Sequence, residues 1–187
     1  VLSRDEIQSM EDVAKTERDK LIIRILGDTG IRVGELVGLR TTDIVQRDRN
    51  HFLRVRGKGS KERLVAIPQL YRRVQRYAER SRPADTTSNR IFISHRRGAA
   101  GEYRALTTSG VVQFLRNVAQ EAHIEKRVYP HLFRHSYATW ALSRGMNPIM
   151  LAQILGHTSL AMIQNVYSHL SPADAYDAML RALTTAD

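Results

Sequence analysis

The sequence predicts a mainly helical fold with one small antiparallel β-sheet, an α+β arrangement. Two observations lead to this fold class. Apolar residues recur at helical spacing over most of the chain, as in Leu21, Ile22, Ile25 and Leu26. Between residues 51 and 67 the pattern changes to two short runs rich in Val and Ile that flank a glycine-bearing turn, which is typical of a β-hairpin.

Length and charge narrow the choice of partner. The chain has 187 residues, which suits one domain with its own core. It carries 29 Lys and Arg against 19 Asp and Glu, a formal net charge of +10. Such an excess favours a polyanion, with nucleic acid as the leading candidate. A solvated basic surface that binds nothing in particular is the alternative. A membrane-surface helix is disfavoured because the basic residues are spread along the whole chain.

Two absences from the sequence exclude further classes. The chain has no Cys, which excludes disulfides, thiol nucleophiles and Cys-ligated zinc. No run approaches the ~20 apolar residues of a membrane span, and no secretory signal is visible. We therefore expect no membrane partner and a cytoplasmic setting.

The first forty residues predict three helices. Ser3 and Glu6 have the spacing of a capping box, in which a hydroxyl and a carboxylate satisfy each other's backbone amides. Gly30 is suited to end the second helix. The predicted helices cover about 4–16, 17–27 and 33–39.

The middle of the chain predicts the sheet. Strands at 51–56 and 63–67 flank the turn 57–61, which carries Lys58 and Lys61 at its tip. The following segments are predicted as a helix at 69–80, a polar loop at 81–89, a short strand at 90–94 and a basic loop at 95–104.

From Leu106 onward the pattern is helical. Thr107 or Thr108 is suited to cap the first of these helices, and Pro130, Pro148 and Pro172 stand at or near the beginning of later ones. The predicted helices cover about 107–123, 132–144, 148–156, 160–167 and 172–183.

Arg32 stands at the predicted start of the third helix, with Glu35 one turn later. An arginine beside a helix N-terminus is well placed to hold a phosphate, because the amide dipoles and the guanidinium both favour an anion. The simpler interpretation is a surface charge and an ion pair.

The Lys58/Lys61 turn is not a nucleotide-binding P-loop, since neither the glycine-lysine spacing nor the strand-to-helix context is met. A basic hairpin tip suits contact with a nucleic-acid backbone, where a lysine is able to donate a proton. A solvated loop is the alternative.

His131 and Arg134 lie three residues apart just after Pro130, so on a helix they share a face. A proton carrier beside a fixed cation suits a phosphodiester substrate. A lone His is more often structural.

His157 lies in LGHTS, and Tyr167 follows ten residues later. The segment 147–168 also fits a helix-turn-helix, which would bind DNA without chemistry. A tyrosine nucleophile needs cationic neighbours, because a free phenol has a pKa of about 10. Spacing alone does not select one of the seven tyrosines.

No cluster of Asp and Glu has the arrangement that holds two magnesium ions, and no His-rich zinc pattern is present. Any phosphoryl transfer is therefore expected to proceed without metal, with Arg and Lys stabilising the developing charge.

Taken together, these segments resemble the tyrosine recombinase (phage integrase) family. The matches occur in the family's order, in TGIRVGEL, GKGSKER, HLFRH, LGHTS and VYSHL. The matching residues are Arg32, Lys58, His131, Arg134, His157 and Tyr167. The resemblance covers nearly the whole chain, from about residue 2 to 172, and it implies a mostly helical catalytic domain with a small antiparallel sheet.

The resemblance also implies a reaction. Tyr167 would attack a DNA phosphodiester and give a 3′-phosphotyrosyl link with a free 5′-hydroxyl, and the 5′-hydroxyl of a second strand would reverse the step. Arg32 and Arg134 would stabilise the pentacoordinate transition state. Lys58, or Lys61 on the same turn, would protonate the leaving oxygen.

In the same family, His131 would assist proton transfer at the tyrosine, and His157 would hydrogen-bond the phosphate. The choice of Tyr167 rests on its VYSHL context, while Tyr176 is interpreted as a packing residue of the last helix. Neither ATP, a metal nor another cofactor is implied, because the covalent link stores the bond energy.

The implied partners are a double-stranded DNA core site and other protomers, four of which act on two duplexes in the full reaction. Residues 1–187 are expected to form the catalytic domain, with 172–187 as a tail that packs on the same or a neighbouring protomer. The family's N-terminal core-binding domain is expected to be absent from this chain, and the isolated domain to be monomeric.

Three alternatives remain open at this point. A helix-turn-helix regulator explains the charge but not Arg32, the hairpin or the His131/Arg134 pair. A type IB topoisomerase shares the tyrosine chemistry but does not exchange strands between partners. Within the recombinases, a phage or mobile-element integrase is preferred to a chromosome-dimer resolvase only because it is the broader group.

Overall fold

A computed structural model describes residues 1–156, 160–168 and 170–184. The fold is mainly helical with small antiparallel β-structure, as predicted, but it has two sheets where the sequence predicted one. Its helices are α1 (Arg4–Val13), α2 (Glu17–Thr29), α3 (Val33–Val37), α4 (Tyr71–Arg76), α5 (Thr108–Glu121), α6 (Pro130–Ser143), α7 (Pro148–Leu155), α8 (Leu160–Ser168) and α9 (Pro172–Thr184). Its strands are β1 (Ile44–Arg47), β2 (Asn50–Arg56), β3 (Glu62–Ala66), β4 (Ile93–Arg97) and β5 (Tyr103–Ala105).

The helix caps follow the sequence closely. Ser3 and Glu6 form the predicted capping box, and Thr107 caps α5 by accepting a hydrogen bond from the Gly110 amide. α1 ends at Val13 rather than near residue 16, because the Thr16 side chain accepts from the Asp19 amide and so caps α2 instead.

The sheets contain two strands that the sequence did not predict. β1 pairs antiparallel with β2, and β2 pairs with β3. β5 pairs with β4, so the predicted basic loop at 95–104 is wrong in part. The Arg97 guanidinium lies 4.5 Å from the centroid of the Tyr103 ring across this second hairpin. Each missed strand is only three or four residues long, too short for an alternating pattern, and is fixed by its partner strand.

The predicted helix at 69–80 divides into two parts. Regular α-helix covers only Tyr71–Arg76, and the chain continues as one turn of π-helix at Tyr77–Ser81. Tyr77 in that turn is buried and its ring lies 5.7 Å from the Phe92 ring.

The buried apolar side chains form two clusters that meet along α6. The larger cluster includes residues of α1, α2, the three-stranded sheet and α5, and reaches Phe133. The smaller one begins at Tyr137 and includes residues of α6, α7 and α8. Arg134 lies between Phe133 and Tyr137 in the sequence, so α6 places a charged residue where the two clusters meet.

α9 packs against the end of α6 in the same chain. The Arg181 guanidinium donates to the backbone carbonyls of Arg144 and Ser143, at 3.1 and 2.8 Å. These carbonyls belong to the last turn of α6, which lacks intrahelical partners. Tyr176 on the same helix is 70% exposed, so it does not pack within this chain. Packing of Tyr176 on a neighbouring protomer stays a prediction.

Within the described ranges, no helix combines the length and the apolar character needed to cross a bilayer.

Gly30 joins α2 to the segment that carries Arg32. Its φ is +66°, in the left-handed region, where it ends α2 as predicted. A Cβ at this position would lie 2.6 Å from Tyr137 Cδ1 and 2.8 Å from Leu155 Cδ2. Only glycine therefore allows α6 and α7 to approach this turn so closely.

We predict that Gly30→Ala lowers the free energy of unfolding by about 2 to 4 kcal/mol, because left-handed strain and overpacking act together. Urea unfolding followed by circular dichroism measures the change. Gly34→Ala is the control, since a Cβ there meets nothing within 4 Å and α3 gains helix propensity. Equal stability of the two variants would contradict the close packing at Gly30.

Candidate active site

A cleft of about 920 Å³ opens between the start of α3, the β2–β3 turn and the end of α7. Cationic side chains outnumber carboxylates among its described residues. The lining residues are Arg32, Val33, Gly34, Glu35, Arg56, Gly57, Lys58, Lys61, Glu62, Arg63, Gln153 and Gly156. The cleft therefore suits an anionic ligand.

The last carbonyls of α7 are the centre of the site. The Leu155 carbonyl accepts from an Arg134 terminal nitrogen at 2.5 Å and from an Arg32 terminal nitrogen at 3.4 Å. The neighbouring Ile154 carbonyl accepts from Arg63 Nε at 2.6 Å. The final carbonyls of a helix lack intrahelical partners and carry the negative end of its dipole, so they attract cations. Three arginines from three elements thus converge on one helix end.

Arg134 is almost fully buried, with 1% of its surface exposed. Its guanidinium also donates a hydrogen bond to the Gly30 carbonyl at 2.8 Å. Burial lowers the pKa of Arg134 to about 10, and the positive charges of Arg32 and Arg63 act in the same direction while Glu35 opposes them. The guanidinium remains protonated at neutral pH. A bound anion would offset the mutual repulsion of these cations.

Glu35 holds two of the arginines in place. Its carboxylate forms a bidentate ion pair with Arg63, with N–O distances of 2.5 and 3.0 Å. It also accepts a hydrogen bond from the Arg32 backbone amide at 2.8 Å. Burial alone would raise the pKa of Glu35, but the hydrogen bonds from Arg63 and from the Arg32 amide, with the charges of both arginines, lower it below its usual value. Glu35 is therefore ionised in the folded protein.

The opposite wall of the cleft is the turn between β2 and β3. Lys58, Gly59 and Ser60 form a tight turn, in which Gly59 and Ser60 have left-handed φ values of +73° and +61°. The Gly57 amide donates to the Lys61 carbonyl at 2.7 Å and closes the turn at its base. Both Lys58 and Lys61 are exposed and line the cleft. Two lysines thus face the space that the arginines border.

The structure brings together three of the six predicted site residues. Arg32 and Lys58 line the cleft, and Arg134 adjoins it through the Leu155 carbonyl. His131 lies one turn before Arg134 on α6, as the spacing predicts, but it is exposed and does not line this cleft.

The other two predicted residues are described only in part. His157 lies outside the described residues. The Tyr167 backbone belongs to α8, one residue before its end, and its side chain lies outside what the structure describes. Their roles stay predictions.

Arg63 was missed by the sequence reasoning, although it ends the GKGSKER motif. The signal was weak, because a residue with a long charged side chain at the start of a strand usually faces solvent. Gly156 stands at the end of the predicted helix 148–156 and was not predicted as a site residue, yet it lines the cleft with a φ of +93°.

Among residues 1–156, 160–168 and 170–184, no three His, Asp or Glu side chains lie close enough together to hold a metal ion.

Comparison with known proteins identifies the family. The model of the phage integrase family matches residues 1–174, which is most of the chain. This chain belongs to the phage integrase family, the tyrosine recombinases. Two similar proteins agree with that assignment, and a third shares the fold.

Tyrosine recombinase XerD of Chlorobaculum tepidum is 38% identical over 157 residues, covering 82% of this chain and 49% of that protein. A crystal structure of XerA recombinase has a TM-score of 0.78 and 29% identity, covering 100% of this chain and 65% of that one. XerH site-specific recombinase, bound to its difH substrate in a pre-cleavage complex, has a TM-score of 0.74 and 21% identity, covering 95% and 52%, and shows likeness of fold alone. The chain thus spans about half to two thirds of the length of these tyrosine recombinases.

We predict that Glu35→Gln lowers the free energy of unfolding by about 2 kcal/mol at pH 7, because it leaves Arg63 half-buried without its carboxylate partner. The folded pKa of Glu35 lies below the unfolded value of 4.5, so this stabilisation is complete above that pH and is lost as the pH falls through the folded pKa. Urea unfolding of both proteins between pH 7 and pH 3 tests this. A difference that stays constant down to pH 3 would show that ionisation of Glu35 does not matter.

Proposed function

We propose that this recombinase cleaves and rejoins duplex DNA through a covalent tyrosine intermediate, and that residues 1–187 form its catalytic domain. The observation that carries the proposal is the convergence of Arg32 and Arg134 on the Leu155 carbonyl, next to a cleft whose other wall is the Lys58 turn. Two guanidinium groups and a lysine are the groups that a phosphodiester substrate requires when arginine and lysine stabilise its transition state.

In this mechanism, Arg32 and Arg134 hold the two non-bridging oxygens of the scissile phosphate. Their charge stabilises the pentacoordinate phosphorus, which carries more negative charge than the bound diester. Because Arg134 is fixed by the Gly30 and Leu155 carbonyls, little reorganisation is needed at the moment of reaction.

The chemical step exchanges one phosphorus–oxygen bond for another. His131 assists by accepting the proton of the Tyr167 phenol, and the phenol oxygen forms a bond to phosphorus. The bond from phosphorus to the 5′-oxygen breaks, and Lys58 gives that oxygen a proton. The products are a 3′-phosphotyrosyl link and a free 5′-hydroxyl, and attack by another strand's 5′-hydroxyl reverses each bond change. His157 hydrogen-bonds the phosphate.

The partners in this proposal are double-stranded DNA in the cytoplasm and further copies of the protein, four of them on two duplexes. The XerH complex with its substrate supports DNA as the ligand of this fold. The names integrase and Xer recombinase both refer to enzymes that exchange strands between two DNA sites. We propose that reaction here, with integration as its role, rather than DNA relaxation or regulation without chemistry.

We predict that Tyr167→Phe abolishes the covalent adduct, a loss on the order of 10³-fold or more, because the nucleophilic oxygen is removed. The full-length natural protein is mixed with a nicked duplex that carries its core site, in a buffer that contains a metal chelator. That site is first selected from a random duplex pool by binding to the Tyr167→Phe protein. A denaturation-resistant protein–DNA band is the measurement.

Tyr176→Phe is the matched control, since this residue is an exposed tyrosine on α9. Its adduct is expected to equal that of the wild type. An adduct that survives in Tyr167→Phe would assign the nucleophile to another residue. If no variant forms an adduct while site-specific DNA binding is intact, the result would favour a helix-turn-helix regulator that binds DNA without chemistry.

We predict that Lys58→Ala slows cleavage by about 10²- to 10⁴-fold on normal DNA, the range for loss of a general acid. A duplex with sulfur in place of the bridging 5′-oxygen should remove most of this defect, because a thiol has a pKa near 8.5 and leaves without a proton. Rates of adduct formation on both duplexes measure the effect. If only Lys61→Ala lowers the cleavage rate on normal DNA and regains it on the sulfur duplex, the proton donor is Lys61.

A further inference from the structure

Arg63 stands where the hairpin joins the rest of the site. In the antiparallel pairing of β2 and β3 it faces Val55, directly behind the turn that carries Lys58. Its side chain leaves the hairpin and contacts two other elements, Glu35 on α3 and the Ile154 carbonyl at the end of α7.

Each of the three guanidinium nitrogens of Arg63 donates a hydrogen bond in these contacts. Nε donates to the Ile154 carbonyl at 2.6 Å, and the two terminal nitrogens donate to the two carboxylate oxygens of Glu35 at 2.5 and 3.0 Å. A planar guanidinium held at three points has little freedom to rotate. The base of the hairpin is thereby fixed against α3 and α7.

The other two arginines of the site are held by contacts that do not include the Arg63 side chain. Arg32 is held through its backbone amide by Glu35 and through its side chain by the Leu155 carbonyl. Arg134 is held by the Gly30 and Leu155 carbonyls. Loss of the Arg63 side chain would therefore act first on the hairpin and on Lys58, and less on these arginines.

The turn itself depends on this support. Lys58 and its neighbours Gly59 and Ser60 are exposed, and Gly59 adds backbone freedom. On the other side of the hairpin, Arg56 pairs with the buried Asp43 at 2.5 Å, which ties β2 to the segment before β1 and not to α3 or α7. Arg63 is therefore a side chain that ties the hairpin both to α3 and to α7, and so helps to set the distance from the hairpin tip to the arginines.

We propose that Arg63 is a positioning residue of the cleavage reaction, which fixes the Lys58 turn relative to Arg32 and Arg134 so that Lys58 reaches the leaving 5′-oxygen. This inference rests on the proposed function and adds a residue to it. Arg63 acts through Lys58 and neither forms nor breaks a bond.

The test compares normal DNA with the duplex in which sulfur replaces the bridging 5′-oxygen. With normal DNA, Arg63→Lys is expected to slow adduct formation by about 10- to 100-fold at saturating protein, the effect of a misplaced catalytic group. With the sulfur duplex, the same variant is expected to react within about threefold of the wild type, because the step that Lys58 serves is no longer required. Lys58→Ala is the positive control, because its rate on the sulfur duplex shows how much rescue is possible when the proton donor is lost. Arg32→Lys is the negative control, because Arg32 acts on the phosphate and its loss should not be rescued by sulfur.

DNA affinity separates positioning from direct binding. Arg63→Lys and wild type are expected to bind the core site within about twofold, with equal slopes of log affinity against log salt. A sequence-independent loss of affinity with a slope smaller by about one would mean that Arg63 contacts a phosphate, which overturns the proposal. A slow rate that the sulfur duplex does not repair would overturn it as well.

Two further variants control for folding. Arg73→Met removes an arginine that also bridges two carboxylates, those of Glu11 and Glu17 at 2.6 and 2.7 Å, but does not line the cleft. It is expected to lose stability without loss of cleavage rate on either duplex. The double variant Glu35→Gln with Arg63→Met removes both charges of this ion pair together, so it should fold and still show the defect that the sulfur duplex rescues.

The wild type distinguishes failure of this inference from failure of the proposed function. If wild-type protein forms no adduct on either duplex, the proposed chemistry is wrong. If wild type reacts and Arg63→Lys equals it on normal DNA, the chemistry stands and the positioning role of Arg63 is wrong.

Discussion

The carbonyl oxygens at the end of α7 are the acceptors on which the candidate site depends. They lack partners within the helix and carry partial negative charge, so each attracts a donor from elsewhere. Arginines from the N-cap of α3, from β3 and from α6 donate to these carbonyls, and in doing so they are brought next to one another. The geometry of the cleft follows from this shared acceptor, because Arg32, Arg63 and Arg134 belong to three different elements.

Bringing three guanidinium groups together is electrostatically unfavourable, and the structure offsets it only in part. Glu35 neutralises one charge through its ion pair with Arg63. Arg134 is bonded to backbone carbonyls, and its lowered pKa reflects burial and the neighbouring cations. The remaining positive charge is directed toward a cleft that a phosphate would fill. The repulsion among these cations lowers the folding stability of the free protein. Binding of an anion would restore that stability.

Much of the architecture could be predicted from local patterns. Ser3, Thr107 and Gly30 act at helix ends as their chemistry requires, since capping involves only residues within a turn of one another. β1 and β5 could not be predicted, because three or four residues carry too little pattern and their pairing depends on the partner strand. The division of the helix near Tyr77 likewise depends on packing against Phe92.

The sequence by itself determined the order and chemical identity of the charged groups, and with them the family. Arg32, Lys58 and Arg134 stand in recognisable motifs, so their grouping could be anticipated. Only the tertiary structure decided how they are held and that Arg63 joins them. The bonds to the Leu155 and Ile154 carbonyls span up to 123 residues. Their acceptors are backbone atoms, which every residue presents alike, so no side-chain pattern marks them in advance.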